Sequence, residues 1–242
     1  MPSVSNTTIA GQLNIARLAI SNTLADAELQ ALVVVYGYTV DKMQAGKRLY
    51  DLAVAAVNAQ AAAAGTQRQA TAQARVAERA ARASYQALAQ VARALFVRNQ
   101  AHRAALGLVG SAPQGTAAFL AAATMLFDNA RDLAEIKAVL AGYGYDDARL
   151  EGERATIAAF DRANQTQVAA IGAAQQATRD RQAALDVLNE WLAQYLKIAR
   201  IALRDKPQLI EKLGVLKRSS RTPAQRQAPQ KAAATRAARK AA

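Results

Sequence analysis

The chain has 242 residues, a formal net charge of +13, one histidine, five prolines and no cysteine. Without thiols there is no disulfide framework, iron–sulfur cluster, thiolate zinc site or cysteine nucleophile, and one histidine leaves no His-pair metal site. Hydrophobic letters make up 52% of the chain and aromatics only 5%; alanine is far above ordinary usage, and the prolines at 2, 113, 207, 223 and 229 leave two long proline-free spans.

Alanine loses no side-chain entropy in a helix, and no proline interrupts these spans, so the expectation is an all-α protein without enzymatic activity. Residues 1–8 have neither a basic n-region nor an apolar h-region, so no secretory signal is expected. The first predicted helix covers residues 6–35. It ends at Tyr36-Gly37-Tyr38, where Gly37 suits the left-handed position that closes a helix and Thr39 suits the next N-cap. A very long helix follows, with apolar or small residues at 3–4 spacing: Met43, Tyr50, Ala53, Val57, Ala64, Ala74, Ala81, Tyr85, Leu88, Ala92 and Leu95. Polar Gln60, Gln67, Thr71 and Glu78 occupy the middle of that seam. With no proline at Gln100, this helix is expected to run on to Leu106.

Residues 109–115 contain Gly, Ser and Pro and read as a linker. Beyond it the pattern returns. A helix over 116–141 leads to Tyr143-Gly144-Tyr145, with Gly144 as the closing glycine and Asp146 as the N-cap. A second long seam runs through Leu150, Ile157, Phe160, Ile171, Ala174, Leu185, Leu188, Leu192, Tyr195 and Ala199, with Asn164, Gln167, Thr178 and Arg181 at its centre. Pro207 suits the first position of a short helix over 207–213, closed by Gly214.

One unshifted offset, the step from Tyr36 to Tyr143, superposes the two Tyr-Gly-Tyr turns, Gln69-Ala70-Thr71 on Gln176-Ala177-Thr178, and Leu106-Gly107-Leu108 on Leu213-Gly214-Val215. Such self-similarity marks a tandem duplication. The expected organisation is helical repeat 1 over 6–108, a linker over 109–115, helical repeat 2 over 116–215 and a disordered basic tail over 216–242. Each repeat reads as helix, turn and long helix, together an elongated bundle of coiled-coil-like architecture. Each long helix either runs unbroken for about 60 residues, ~90 Å at 1.5 Å per residue, or folds back near Gly65 and Gly172. The unbroken form is favoured, because no proline or turn cluster marks a hairpin.

Few residues carry candidate chemistry. His102 has no partner at ligand spacing and reads as a packing or surface residue. Asp146, Asp147, Glu151 and Glu153, with Arg154 among them, read as the acidic first turn of a helix. The di-iron signature Glu-x-x-His is absent, because Asn99 stands three residues before the only histidine. Gly107, Gly110 and Gly115 precede no Gly-Lys-Ser/Thr and so form no P-loop. Tyr36, Tyr38, Tyr143 and Tyr145 read as anchors of their turns against a neighbouring helix, with a ligand or partner contact as the alternative. Trp191 reads as core or interface. No catalytic residue, metal or cofactor is assigned.

The charge divides unevenly. Lys217, Arg218, Arg221, Arg226, Lys231, Arg236, Arg239 and Lys240 give the tail +8 with no acid, leaving +5 on the body that precedes Lys217. A tail without large apolar residues after Leu216 cannot bury a core and is expected to be disordered, and such an arm attracts polyanions by counterion release. It lacks the aromatic or leucine face that membrane insertion needs. Its alanine-rich, Lys/Arg-spotted composition resembles the basic tails of bacterial histone-like and linker-histone-like proteins. The stretch from Trp191 to Gly214, with its Ile201-Ala202-Leu203-Arg204-Asp205-Lys206-Pro207-Gln208-Leu209-Ile210-Glu211-Lys212-Leu213-Gly214 ending, resembles the C-terminal signature of a group of bacterial all-helical proteins to which no activity attaches. These resemblances imply a helical fold and a tail partner but transfer no site residue. The leading expectation is a cytoplasmic structural or scaffolding protein that self-associates through long helices while its tail contacts an anionic partner. The alternative is a nucleoid-type nucleic-acid-binding protein whose tail supplies non-specific affinity.

Overall fold

The computed structural model describes residues 8–110 and 113–214. The expected tail, with its eight cations from Lys217 to Lys240, lies outside the described residues. Among those described are eight α-helices and no strand: α1 Ile9–Ala25, α2 Ala27–Val34, α3 Val40–Leu95, α4 Gln100–Ala105, α5 Thr116–Asp132, α6 Ala134–Ala141, α7 Asp147–Ala202 and α8 Pro207–Lys212. The fold is all-α. Moving each bound of α1 to α4 by the step from Tyr36 to Tyr143 gives the bounds of α5 to α8. Both α3 and α7 are single helices of 56 residues, so neither folds back at its central glycine. A Cβ added at Gly65 or Gly172 would meet nothing within 4 Å, and one glycine costs a helix only about 1 kcal/mol.

Three boundaries differ from expectation. The helix expected over 6–35 is two helices, because the Asp26 carboxylate accepts from the backbone N–H groups of Glu28 and Leu29 and starts α2 there. Lys212, 186 residues away, holds that carboxylate at 2.8 Å and keeps its pKa below the usual carboxylate range. The matching break between α5 and α6 occurs at Leu133, which offers no side-chain cap. The third concerns α3, which stops at Leu95 and does not continue to Leu106. Asn99 accepts from the His102 N–H and begins α4 anew, a side-chain cap doing here what Pro207 does for α8.

The chain forms two compact units that do not coincide with the segments 6–108 and 116–215. Among the described residues, unit 1 joins 8–56 with 182–214; unit 2 is Val57–Arg181. In unit 1, α1, α2 and the start of α3 share a core with the end of α7 and with α8, built on Ile20, Leu29, Tyr38, Leu188, Tyr195 and Leu209. The Asn22 amide donates to the Lys212 carbonyl and so satisfies an orphan acceptor at the end of α8. Unit 2 repeats the scheme with exchanged parts: α5, α6 and the start of α7 pack with the end of α3 and with α4 around Leu88, Phe119, Phe127, Leu140 and Phe160. There Asn129 donates to the Ala105 carbonyl at the end of α4.

Within unit 2, contacts from Ser84 to Thr156 at 3.3 Å and from Thr71 to Gln167 at 3.4 Å make α3 and α7 antiparallel. Of the expected seam residues, Thr178 alone is exposed. Away from the Phe-rich core the seam thins to the buried methyls of Ala70, Ala74, Ala170 and Ala174, among half-buried Gln67, Thr71, Asn164 and Gln167.

Candidate functional site

Each Tyr-Gly-Tyr turn closes its helix with paired backbone bonds. Gly37 and Tyr38 donate to Val34 and Val33, and Gly144 and Tyr145 donate to Ala141 and Leu140. Only a left-handed glycine fits this geometry without a Cβ penalty, and φ is +80° at Gly37 and +81° at Gly144. Thr39 and Asp146 then cap α3 and α7 through the N–H groups of Lys42 and Arg149.

The tyrosines of each turn divide. Tyr38 and Tyr145 are buried, whereas Tyr36 and Tyr143 are exposed. Tyr38 lies against Tyr195 at 4.9 Å and edge-on to Trp191 at 6.3 Å, with the Lys42 ammonium 4.2 Å from its ring centre. The Arg149 guanidinium covers Tyr145 at 3.9 Å. Burial pushes both phenol pKa values up. Anchoring therefore falls to the second tyrosine of each turn. Exposed Tyr36 has exposed Val34, Val35 and Val40 beside it in sequence.

The acidic start of α7 is engaged in local structure. Asp147 pairs with Lys137 at 2.7 Å, Glu153 with Arg149 at 2.8 Å, and Arg154 with Asp128 at 2.5 Å, while Arg131 holds Asp132 and approaches Glu151. Hydrogen bonding to Arg131 lowers the Asp132 pKa, and that to Asp128 raises the Arg154 pKa. A cleft of about 580 Å³ opens in unit 2, lined by Leu120, Thr124, Met125, Asp128, Arg154 and Asp161 among others. Two of its charges, Asp128 and Arg154, are bonded to each other. His102 sits edge-on to Phe96 at 5.0 Å with Nε2 3.4 Å from Glu135. Among the described residues no group of three or more His, Asp or Glu is placed to hold a metal ion.

A charged feature on α3 escapes the division into a +8 tail and a +5 body. Residues 57–110 carry seven arginines, no lysine, no aspartate and the single acid Glu78, a net +6 that leaves −1 for the rest of the body before Lys217. Five of these arginines, Arg68, Arg75, Arg79, Arg82 and Arg93, fall within about 60° of arc at 100° per residue. They form one ridge along α3, roughly 37 Å long at 1.5 Å per residue. Arg68, Arg75, Arg79 and Arg93 are exposed; among the described residues only Arg82 of the five has an ion pair, with Glu78, and it lies over the Phe119 ring at 4.5 Å. A charge count in short windows would have exposed this ridge, which the whole-body sum averages away.

Comparison of the chain with protein-family models, curated proteins and solved structures returned no match.

Proposed function

We propose that the protein is a non-enzymatic helical scaffold, built from a tandemly duplicated helical unit, that self-associates through its long helices while its basic tail contacts an anionic partner in the cytoplasm. The observation carrying this reading is the seam of α3 and α7 in unit 2. Four buried alanine methyls contribute on the order of 3 kcal/mol at ~0.8 kcal/mol each, which is little for two helices whose outer faces still expose Val76 and Val168. Helices of this kind draw their stability from neighbours, and a second copy supplies them in a coiled-coil-like assembly. The pairing of the carboxylates at the start of α7 with Lys137, Arg149 and Arg131 supports a structural role for them. Among the described residues no helix is long and apolar enough to cross a membrane. Light scattering behind a sizing column tests the proposal: the full chain should elute as a multiple of its 25.6 kDa, and a 25.6 kDa species at every concentration overturns it.

A second reading, non-specific nucleic-acid binding through the tail, is supported by the eight tail cations. If all eight met phosphates, the log–log salt slope would reach at most about −7.

A further inference from the structure

We propose that the arginine ridge of α3 is itself a binding surface for the phosphate backbone of double-stranded nucleic acid, separate from the tail. In the second copy, the positions equivalent to Arg68, Arg75, Arg79 and Arg82 hold Gln175, Gln182, Asp186 and Asn189. The equivalent helix α7 has the same 56-residue length with these substitutions, so a helix of this length does not call for arginine at these four positions; Arg93 is matched by Arg200. Every cation in residues 57–110, the lone His102 aside, is arginine, whose planar fork pairs bidentately with phosphate where lysine offers a point charge.

Arg68, Arg75 and Arg82 recur every seven residues, ~10.5 Å along the axis, and Arg79 and Arg93 share their arc on a rigid helix. The full ridge, about 37 Å, matches one turn of B-form duplex, about 34–36 Å. Four exposed guanidinium groups with no ion pair among the described residues are free to replace condensed counterions. Phosphate contacts carry no base information, so binding is independent of sequence. Single-strand binders stack bases on aromatic rings, and between Arg68 and Arg93 no Tyr, Phe or Trp shares the ridge's arc. An interfacial membrane helix buries Trp, Phe or Leu beside its cations. In residues 57–94 of α3 the exposed large apolar side chain is Val76.

The experiment uses the full chain in three forms: native, with the eight tail cations changed to glutamine, and with R68Q/R75Q/R79Q/R93Q added to the tail change. Glutamine is what the second copy carries opposite Arg68 and Arg75, and Arg82 is left to its pair with Glu78. Anisotropy of a labelled duplex of roughly three helical turns is followed between about 50 and 200 mM salt. The tail-neutralised form should still bind, with a log–log slope of about −3 to −4. Adding the ridge change should remove that binding, with the melting curve and helical circular dichroism unmoved. Arg→Lys at the same four positions should keep the slope, which guards against a folding artefact. The proposal is overturned if the tail-neutralised form no longer binds duplex, or if its slope survives the ridge change. It is also overturned if the ridge-dependent affinity is greater for a single strand or for phosphatidylglycerol vesicles than for duplex. Loss of all binding on tail neutralisation alone would leave the tail reading standing and refute the ridge. The converse result, full slope without the tail charges, would refute the tail reading.

Discussion

Gly46→Ala should destabilise unit 1 by about 1–3 kcal/mol, the range for overpacking a well-filled core, although alanine is the better helix former by about 1 kcal/mol. A Cβ at position 46 would lie 2.2 Å from Cη2 and Cζ2 of Trp191 and 2.7 Å from its Cε2. The half-buried indole is held by two aromatic neighbours. It stacks on Tyr195 at 5.5 Å with an interplanar angle of 22° and meets the Tyr38 ring edge-on. Normal carbon contacts need about 3.5–4.0 Å, so the ring must leave its stacked position, and aromatic pairs of this kind contribute about 0.5–1.5 kcal/mol each. Gly152→Ala provides the opposite sign, because nothing lies within 4 Å of its Cβ position on the exposed face of α7; it should gain about 0.5–1 kcal/mol. Urea unfolding followed by tryptophan emission reads unit 1, since Trp191 is the only tryptophan, and helical circular dichroism over the same titration reads Gly152→Ala in unit 2. An unchanged or raised midpoint for Gly46→Ala would show that the glycine does not make room for the indole.

That same glycine shows what the sequence conceals. At the step from Tyr36 to Tyr143, Gly46 corresponds to Glu153 and Trp191 to Ser84, so the small residue stands near the start of its long helix in one pair and near the end in the other. Repeat arithmetic identifies such positions but not that they face each other. The pairing follows from α3 and α7 running antiparallel, which joins the start of each long helix to the end of the other. Helix ends were legible where one residue type settles the geometry, as at Gly37, Gly144 and Pro207. They were not legible at Asp26 or Asn99, residues that caps and helix interiors both contain. At Asp26 the decisive partner, Lys212, is supplied by the far end of the chain. Nothing local marks Leu133, which has no cap at all. The arginine ridge was legible in principle: seven arginines against one glutamate in residues 57–110 need only a local count, and Gln175, Gln182, Asp186 and Asn189 at the offset positions of α7 provide the contrast.

Between about pH 10 and 12 the native chain should lose stability that a Tyr195→Phe variant keeps. Tyr195 is buried in the core of unit 1, where its hydroxyl bonds to Thr23, which in turn donates to the Ala19 carbonyl at 2.7 Å. Burial pushes the phenol up to about 12, while the bond to Thr23 opposes the shift only in part. In the unfolded chain the same phenol ionises near about 10. Below that pH both states hold the proton and stability is unaffected. Above it the unfolded state releases the proton first and binds fewer protons than the folded one, so stability falls until the folded phenol also ionises. A separation of about two decades corresponds to roughly 3 kcal/mol in all. Removing the hydroxyl should cost about 1 kcal/mol at neutral pH for the lost hydrogen bond, a modest figure because Thr23 keeps its bond to Ala19. The alkaline limb should then be shallower, though not flat, since burial also raises the pKa of Tyr38 beside it. Urea midpoints for both proteins at about pH 8 and about pH 11 make the comparison, with phenolate absorbance reporting one fewer late-titrating tyrosine in the variant. Equal alkaline losses in the two proteins would place the sensitivity in a group other than Tyr195.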